Sequence, residues 1–264
     1  MKIYVSSAAI KICRDCPKKN KSDRLLGGGL NILEIGSHDV NGSIRNFFEG
    51  SDYCGVDLSP GDGVDVVMSG HELKFPNDTF DYSISCECFE HNPEWIKTFA
   101  NMYRMTKISA YVIITCASTG RREHGTKRTN VESSPGTQDL DWDYYKNLTK
   151  KDFQRNFNIG SMFSKSLFLY NKITKDLYFV GIKRNPLLPD SDFNFEKISE
   201  DLFSYNTYVV PSKYLYNLLV SIYRFPRWLA EFLPDKSFQN FSIFYDKLVR
   251  RSSLEKKVKK LVDE

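Results

Sequence analysis

Residues 31–45, Asn-Ile-Leu-Glu-Ile-Gly-Ser-His-Asp-Val-Asn-Gly-Ser-Ile-Arg, restrict the fold more than any other stretch of the chain. An apolar run, Ile32 to Ile35, carries one acid, Glu34. The chain then turns through Gly36, reaches Gly42 and continues into Ile44, Phe47 and Phe48 at helical spacing. That order predicts strand, loop, helix. The two glycines mark places where the backbone turns tightly or lets a ligand approach. A helix opening on such a loop has N–H groups without partners, which suits a polar or anionic ligand. Glu34, inside an apolar strand, needs a backbone donor or a bound cation beside it.

The chain downstream supplies partners for this loop. A second strand, about 52–57, ends on Asp57, roughly 20 residues on, where α/β nucleotide folds place an acid for ribose hydroxyls. A turn or helix cap is the alternative role for Asp57. A third strand, Val64 to Met68, ends in Ser69-Gly70-His71-Glu72-Leu73. The turn before it is too short for a long crossover helix. A fourth strand, Tyr82 to Cys86, ends at Glu87 and leads through Glu90-His91 into a helix of about 93–106, with Pro93 in its first turn. Ala110 to Cys116 is nearly all apolar, like a central strand covered on both faces. Residues 117–141 are polar and without period, the mark of a long functional loop. A helix is expected over 143–157, then two strands, 159–170 and 176–183, joined by a turn at Asn171 to Lys175. The expected domain of 31–184 is preceded by a lead-in, 1–30, and followed by a helical extension, 185–264.

All four histidines, His38, His71, His91 and His124, follow predicted strands, and in an open parallel sheet those ends share one edge. His91 and His124 are candidate general bases, because imidazole titrates near neutrality. Glu87, Glu90 and His91 have a plain alternative as capping groups for the next helix. Tyr144, Tyr145 and Asn147 would line an acceptor pocket or form one face of a helix.

A net charge of +4 over 264 residues gives no case for nucleic acid, which needs a dense basic patch. Basic residues cluster at the two ends, near Lys18 and Arg24 and from Arg250 to Lys260. Of six cysteines, Cys13 and Cys16 form a lone CxxC without a second ligand pair, so no metal site is expected. Free thiols in predicted strands fit a reducing cytoplasm. No stretch reads as an integral membrane segment: Tyr214 to Tyr223 is too short. The apolar face from Tyr214 to Trp228 suits packing on the main domain or a homodimer partner. A peripheral membrane contact, or a cap over the acceptor pocket, are the other occupants.

Leu33-Glu34-Ile35-Gly36 with Gly42, then Gly55-Val56-Asp57, then Phe80-Asp81 before a strand ending in Glu87 and Glu90-His91, resembles the class I S-adenosylmethionine-dependent methyltransferases, and most the type 11 group. The resemblance covers about residues 30–184. It implies a Rossmann-like three-layer sandwich whose seven-stranded, mostly parallel sheet has its last strand antiparallel. It implies S-adenosylmethionine as cofactor. By position, Gly36, Ser37, His38 and Gly42 would cradle its methionine part with Glu34 beneath. Asp57 with Leu58 would hold the ribose. Gly70, His71 and Glu72 would border the adenine, and Glu87 and His91 would close the site near the sulfonium. Two departures stand out: His38 and Asp39 occupy the place of a second glycine, and Ser69 replaces an acid after strand three. The implied activity is methyl transfer to a small-molecule or glycan- or lipid-linked acceptor. An NAD(P)-dependent dehydrogenase or epimerase shares Asp57 but calls for a G-x-G-x-x-G loop, which is absent. A non-catalytic binding protein on the same fold is the third reading.

Overall fold

The computed structural model describes residues 29–40, 42–172, 174–187 and 225–251. The CxxC of Cys13 and Cys16, the basic groups at Lys18 to Arg24 and Lys256 to Lys260, and the apolar patch Tyr214 to Arg224 lie outside the described residues.

Seven strands form one sheet: β1 (Asn31–Ile35), β2 (Asp52–Asp57), β3 (Val66–Val67), β4 (Phe80–Cys86), β5 (Thr106–Ala117), β6 (Phe163–Asn171) and β7 (Asp176–Lys183). Their order is β3-β2-β1-β4-β5-β7-β6. The pairs from β3 to β5 are parallel, and β7 runs antiparallel to both β5 and β6. This is the expected Rossmann-like sheet, with the last strand reversed.

Period-two patterning builds the core. Leu33, Ile35, Val112, Ile114 and Phe179 point to one face, and Ile32, Ile113, Tyr178 and Val180 to the other. The first face is covered by α1 (Trp95–Met105), which buries Trp95, Thr98, Phe99, Met102 and Met105 at helical spacing, and by Phe153 of α3 (Lys150–Asn156). On the second face the described cover is Ile44 and Phe48, with Phe48 5.5 Å from the Tyr82 ring.

Two expected helices are shorter than the pattern promised. The 42–50 helix is a single 3-10 turn, Arg45–Phe48, set between Gly42 and Gly50, both at positive φ. The 143–157 helix begins only at Lys150. Before it the chain forms neither helix nor strand, because the Lys146 and Leu148 amides donate to the Glu90 and Ala117 carbonyls, both at 2.9 Å. The helix starts where Thr149 and Asp152 form a capping box. The long loop contains a short helix, α2 (Pro135–Asp139). After α4 (Ile159–Met162) and the β6–β7 hairpin come helices α5 (225–230) and α6 (Asp235–Arg251).

Candidate active site

The sheet order reverses between β1 and β4, and a cavity opens beyond the carboxyl ends of the strands there, where open α/β sheets bind ligands. It encloses about 1180 Å³ of empty space, its open mouth included.

At the β1–β2 end, Gly36 has φ +84°, and a Cβ there would lie 2.6 Å from the Cys88 Cβ. The Gly36 and Ser37 amides both donate to the Val56 carbonyl, at 2.9 and 3.1 Å. Asp57 accepts from the His38 amide at 3.1 Å and the Leu58 amide at 2.7 Å, so it fixes the loop after β1 and the loop after β2 together. Glu34 is buried under this loop and accepts from the Tyr53 hydroxyl at 2.6 Å. Burial raises its pKa to about 7, against the pull of that hydrogen bond and of Arg45. The Ser37 hydroxyl and His38 Nδ1 are buried without a hydrogen-bond partner.

At the β4–β5 end, Glu87 takes a left-handed backbone conformation, φ +52°, and accepts from the Thr115 hydroxyl at 2.8 Å. Burial first, then Asp176 and Glu90, push its carboxyl well above the usual range. His91 and His124 stack edge to face with ring centroids 4.8 Å apart, and Tyr145 closes the triangle at 5.4 and 5.1 Å. Burial lowers His91 to about 3, with help from His124 and Arg121. Burial and Arg121 lower His124 to about 4 against its bond to the Arg122 carbonyl. Both imidazoles are therefore neutral at pH 7. They can accept a proton, but far more weakly than free histidine.

The cavity is lined by Glu34, Gly36, Ser37, His38, Gly42, Asp57, Leu58, Gly70, Glu87, His91 and His124. His71 and Glu72 are not among its lining residues; His71 faces the Ser69 hydroxyl at 2.7 Å, and Glu72 is exposed. Met68 and Ser69 stand at that end instead. The sequence reading missed Cys88, Arg121, Trp142 and the stretch Ser133 to Thr137, which also line it. Arg121 lies in a loop without period, and no local pattern marks it. Gly136 is closely packed: a Cβ there would be 2.8 Å from Asp57 Oδ1.

Residues 33–114 match the family model described as a methyltransferase domain. Residues 33–114 are a methyltransferase domain, in keeping with the class I S-adenosylmethionine-dependent methyltransferases. The methyl donor of that class is S-adenosylmethionine. No curated protein matches the sequence. Among solved structures, the methyltransferase domain resembles phosphoethanolamine N-methyltransferase 2 of Haemonchus contortus, at 16% identity, TM-score 0.46, over 68% of this chain and 53% of that one. It also resembles 1,6-didemethyltoxoflavin-N1-methyltransferase of Burkholderia thailandensis, at 15% identity, TM-score 0.44, over 68% and 80%. The chain thus spans about half the length of the Haemonchus enzyme.

Proposed function

We propose that the chain moves a methyl group from S-adenosylmethionine to a small acceptor, with residues 31–184 as the catalytic domain and 185–264 as an extension. The observation that carries this is one cavity that joins a nucleoside-type end at Glu34, Gly36 and Asp57 to a second end at His91, Arg121, His124 and Trp142. The donor set fits the cofactor. Asp57 is a carboxylate at the end of β2, Gly36 leaves space only its lack of Cβ provides, and Ser37 has an unused hydroxyl. The bound cofactor supplies an electrophilic methyl on a sulfonium. Glu34 and Glu87 line the cavity and would meet that cation, and their raised pKa values mark carboxyls that a neighbouring positive charge would help to ionise. His91, His124 and Trp142 then orient the acceptor and keep water from it.

No described helix is long and apolar enough to cross a membrane. A cytoplasmic setting is proposed from the free thiols Cys54, Cys86, Cys88 and Cys116. Phe232, in the turn between α5 and α6, and Phe244 and Leu248 on α6 are exposed, an apolar surface open to a second copy or a membrane.

Thermal-shift measurements with S-adenosylmethionine, S-adenosylhomocysteine and NAD(H) test the reading. The first two should stabilise the chain and Asp57→Ala should abolish the shift. Stabilisation by NAD(H) alone would remove the proposal.

A further inference from the structure

Glu90 and His91 come from the 3-10 turn after β4, and His124 from the loop after β5. One ligand atom from each lies within 4.8 Å of the other two. We propose that Glu90, His91 and His124 bind a divalent transition-metal ion beside the acceptor end of the cavity.

Four observations converge here. Glu90 is fully buried, and no side chain hydrogen-bonds its carboxyl, which faces only the backbone of Glu90 and Ala117; His91 is buried, and its Nδ1 is unpartnered. Groups so placed are costly unless something pairs with them. His124 Nδ1 faces the Arg122 carbonyl at 3.1 Å and must donate to it, which leaves Nε2 with a free lone pair. Metal-bound histidines are commonly oriented by such a carbonyl. Third, the charges favour a cation. Carboxyls outnumber guanidiniums there: Glu87, Glu90 and Asp176 all act on Arg121, which pairs with Asp176 at 3.3 Å. Fourth, the distances are close to what an ion requires. With metal–ligand bonds of about 2.1 Å, tetrahedral ligands sit about 3.4 Å apart, so side-chain rotations of roughly an ångström close the set.

Two imidazoles and one carboxylate suit zinc, iron(II), cobalt(II) or nickel better than magnesium or calcium. Three protein ligands leave open positions, and His91 and His124 line the cavity, so those positions face the acceptor. An acceptor hydroxyl bound there would be acidified, its proton passing to water at the mouth.

The test is a cobalt(II) titration of the full chain followed by visible absorption. A band that saturates at one equivalent and is displaced by zinc is expected, with affinity at least tenfold weaker in both His124→Ala and Glu90→Gln. Circular dichroism checks folding; if Glu90→Gln does not fold, His124→Ala decides. Absence of a band overturns the proposal. So does a band of undiminished affinity in the variants, which would place the ion elsewhere, for instance at the Cys13 and Cys16 thiols. Calorimetric binding of S-adenosylhomocysteine in the same samples separates the two readings. Ligand binding without a cobalt band removes the metal site and leaves the methyltransferase reading intact.

Discussion

Glu34 stays largely protonated in the fold up to about pH 7, because burial opposes its charge. Its ordinary value is 4.5. Below pH 4.5 the folded and unfolded chains both hold the proton. As pH rises towards 7 the unfolded chain releases it first, so stability is lost across that window. Glu34→Gln keeps an oxygen for the Tyr53 hydroxyl and removes the titration. It should gain on the order of 2–3 kcal/mol over the parent at pH 8 and little at pH 4.5, read by urea unfolding. Gly36→Ala places a Cβ against Cys88 in a left-handed conformation. A loss of about 2–4 kcal/mol is expected, with cofactor binding abolished; Cys88→Gly in the same chain should recover part of the stability. The sequence disclosed Glu34 plainly, since an acid in an apolar strand breaks a pattern. It did not disclose the left-handed Glu87, because nothing in Cys-Glu-Cys requires a positive φ.

The loop between β5 and α3 is shaped by what it touches. Gln239 of α6 accepts from the Glu123 amide at 2.7 Å and donates to the Arg121 carbonyl at 2.9 Å. Asn147 also donates to the Arg121 carbonyl and to Asp235, both at 2.8 Å. Lys175 and Glu231 pair at 2.8 Å between the β6–β7 turn and the chain just after α5. The C-terminal helices therefore hold the loop that carries Arg121 and His124. Gln239→Leu leaves the Glu123 amide and a share of the Arg121 carbonyl unpaired and should cost about 1–3 kcal/mol. Hydrogen exchange should rise over 121–125 before it rises in the sheet. Gly136→Val should push α2 off Asp57 and weaken S-adenosylhomocysteine binding with little change in melting temperature. Such long-range bonds explain why this region was the least legible. The strands announced themselves as apolar runs, whereas residues 143–149 look helical in sequence but have amides bound by the carbonyls of Glu90 and Ala117.

Across the whole molecule, two sets of buried groups titrate in opposite senses. Glu34 and Glu90, both raised to about 7, weaken the fold as pH climbs from 4.5. His91 and His124, lowered to about 3 and 4, weaken it as pH falls below 6.5, because the unfolded chain then takes protons the folded one refuses. The ligand-free protein should be most stable between about pH 4.5 and 6.5, and His124→Ala should soften the acid side; melting curves across pH would show both. The reversed last strand carries a further consequence for the order of assembly. β6 and β7 meet across a turn of a few residues, so their pairing needs little loop closure, while β1, β2 and β4 join only over longer separations. Folding should thus begin at the edge of the sheet away from the ligand and finish at the β1–β2 edge that holds it. S-adenosylhomocysteine would then grip a part of the molecule that forms after the rate-limiting barrier. In stopped-flow experiments it should slow unfolding and leave the refolding rate unchanged.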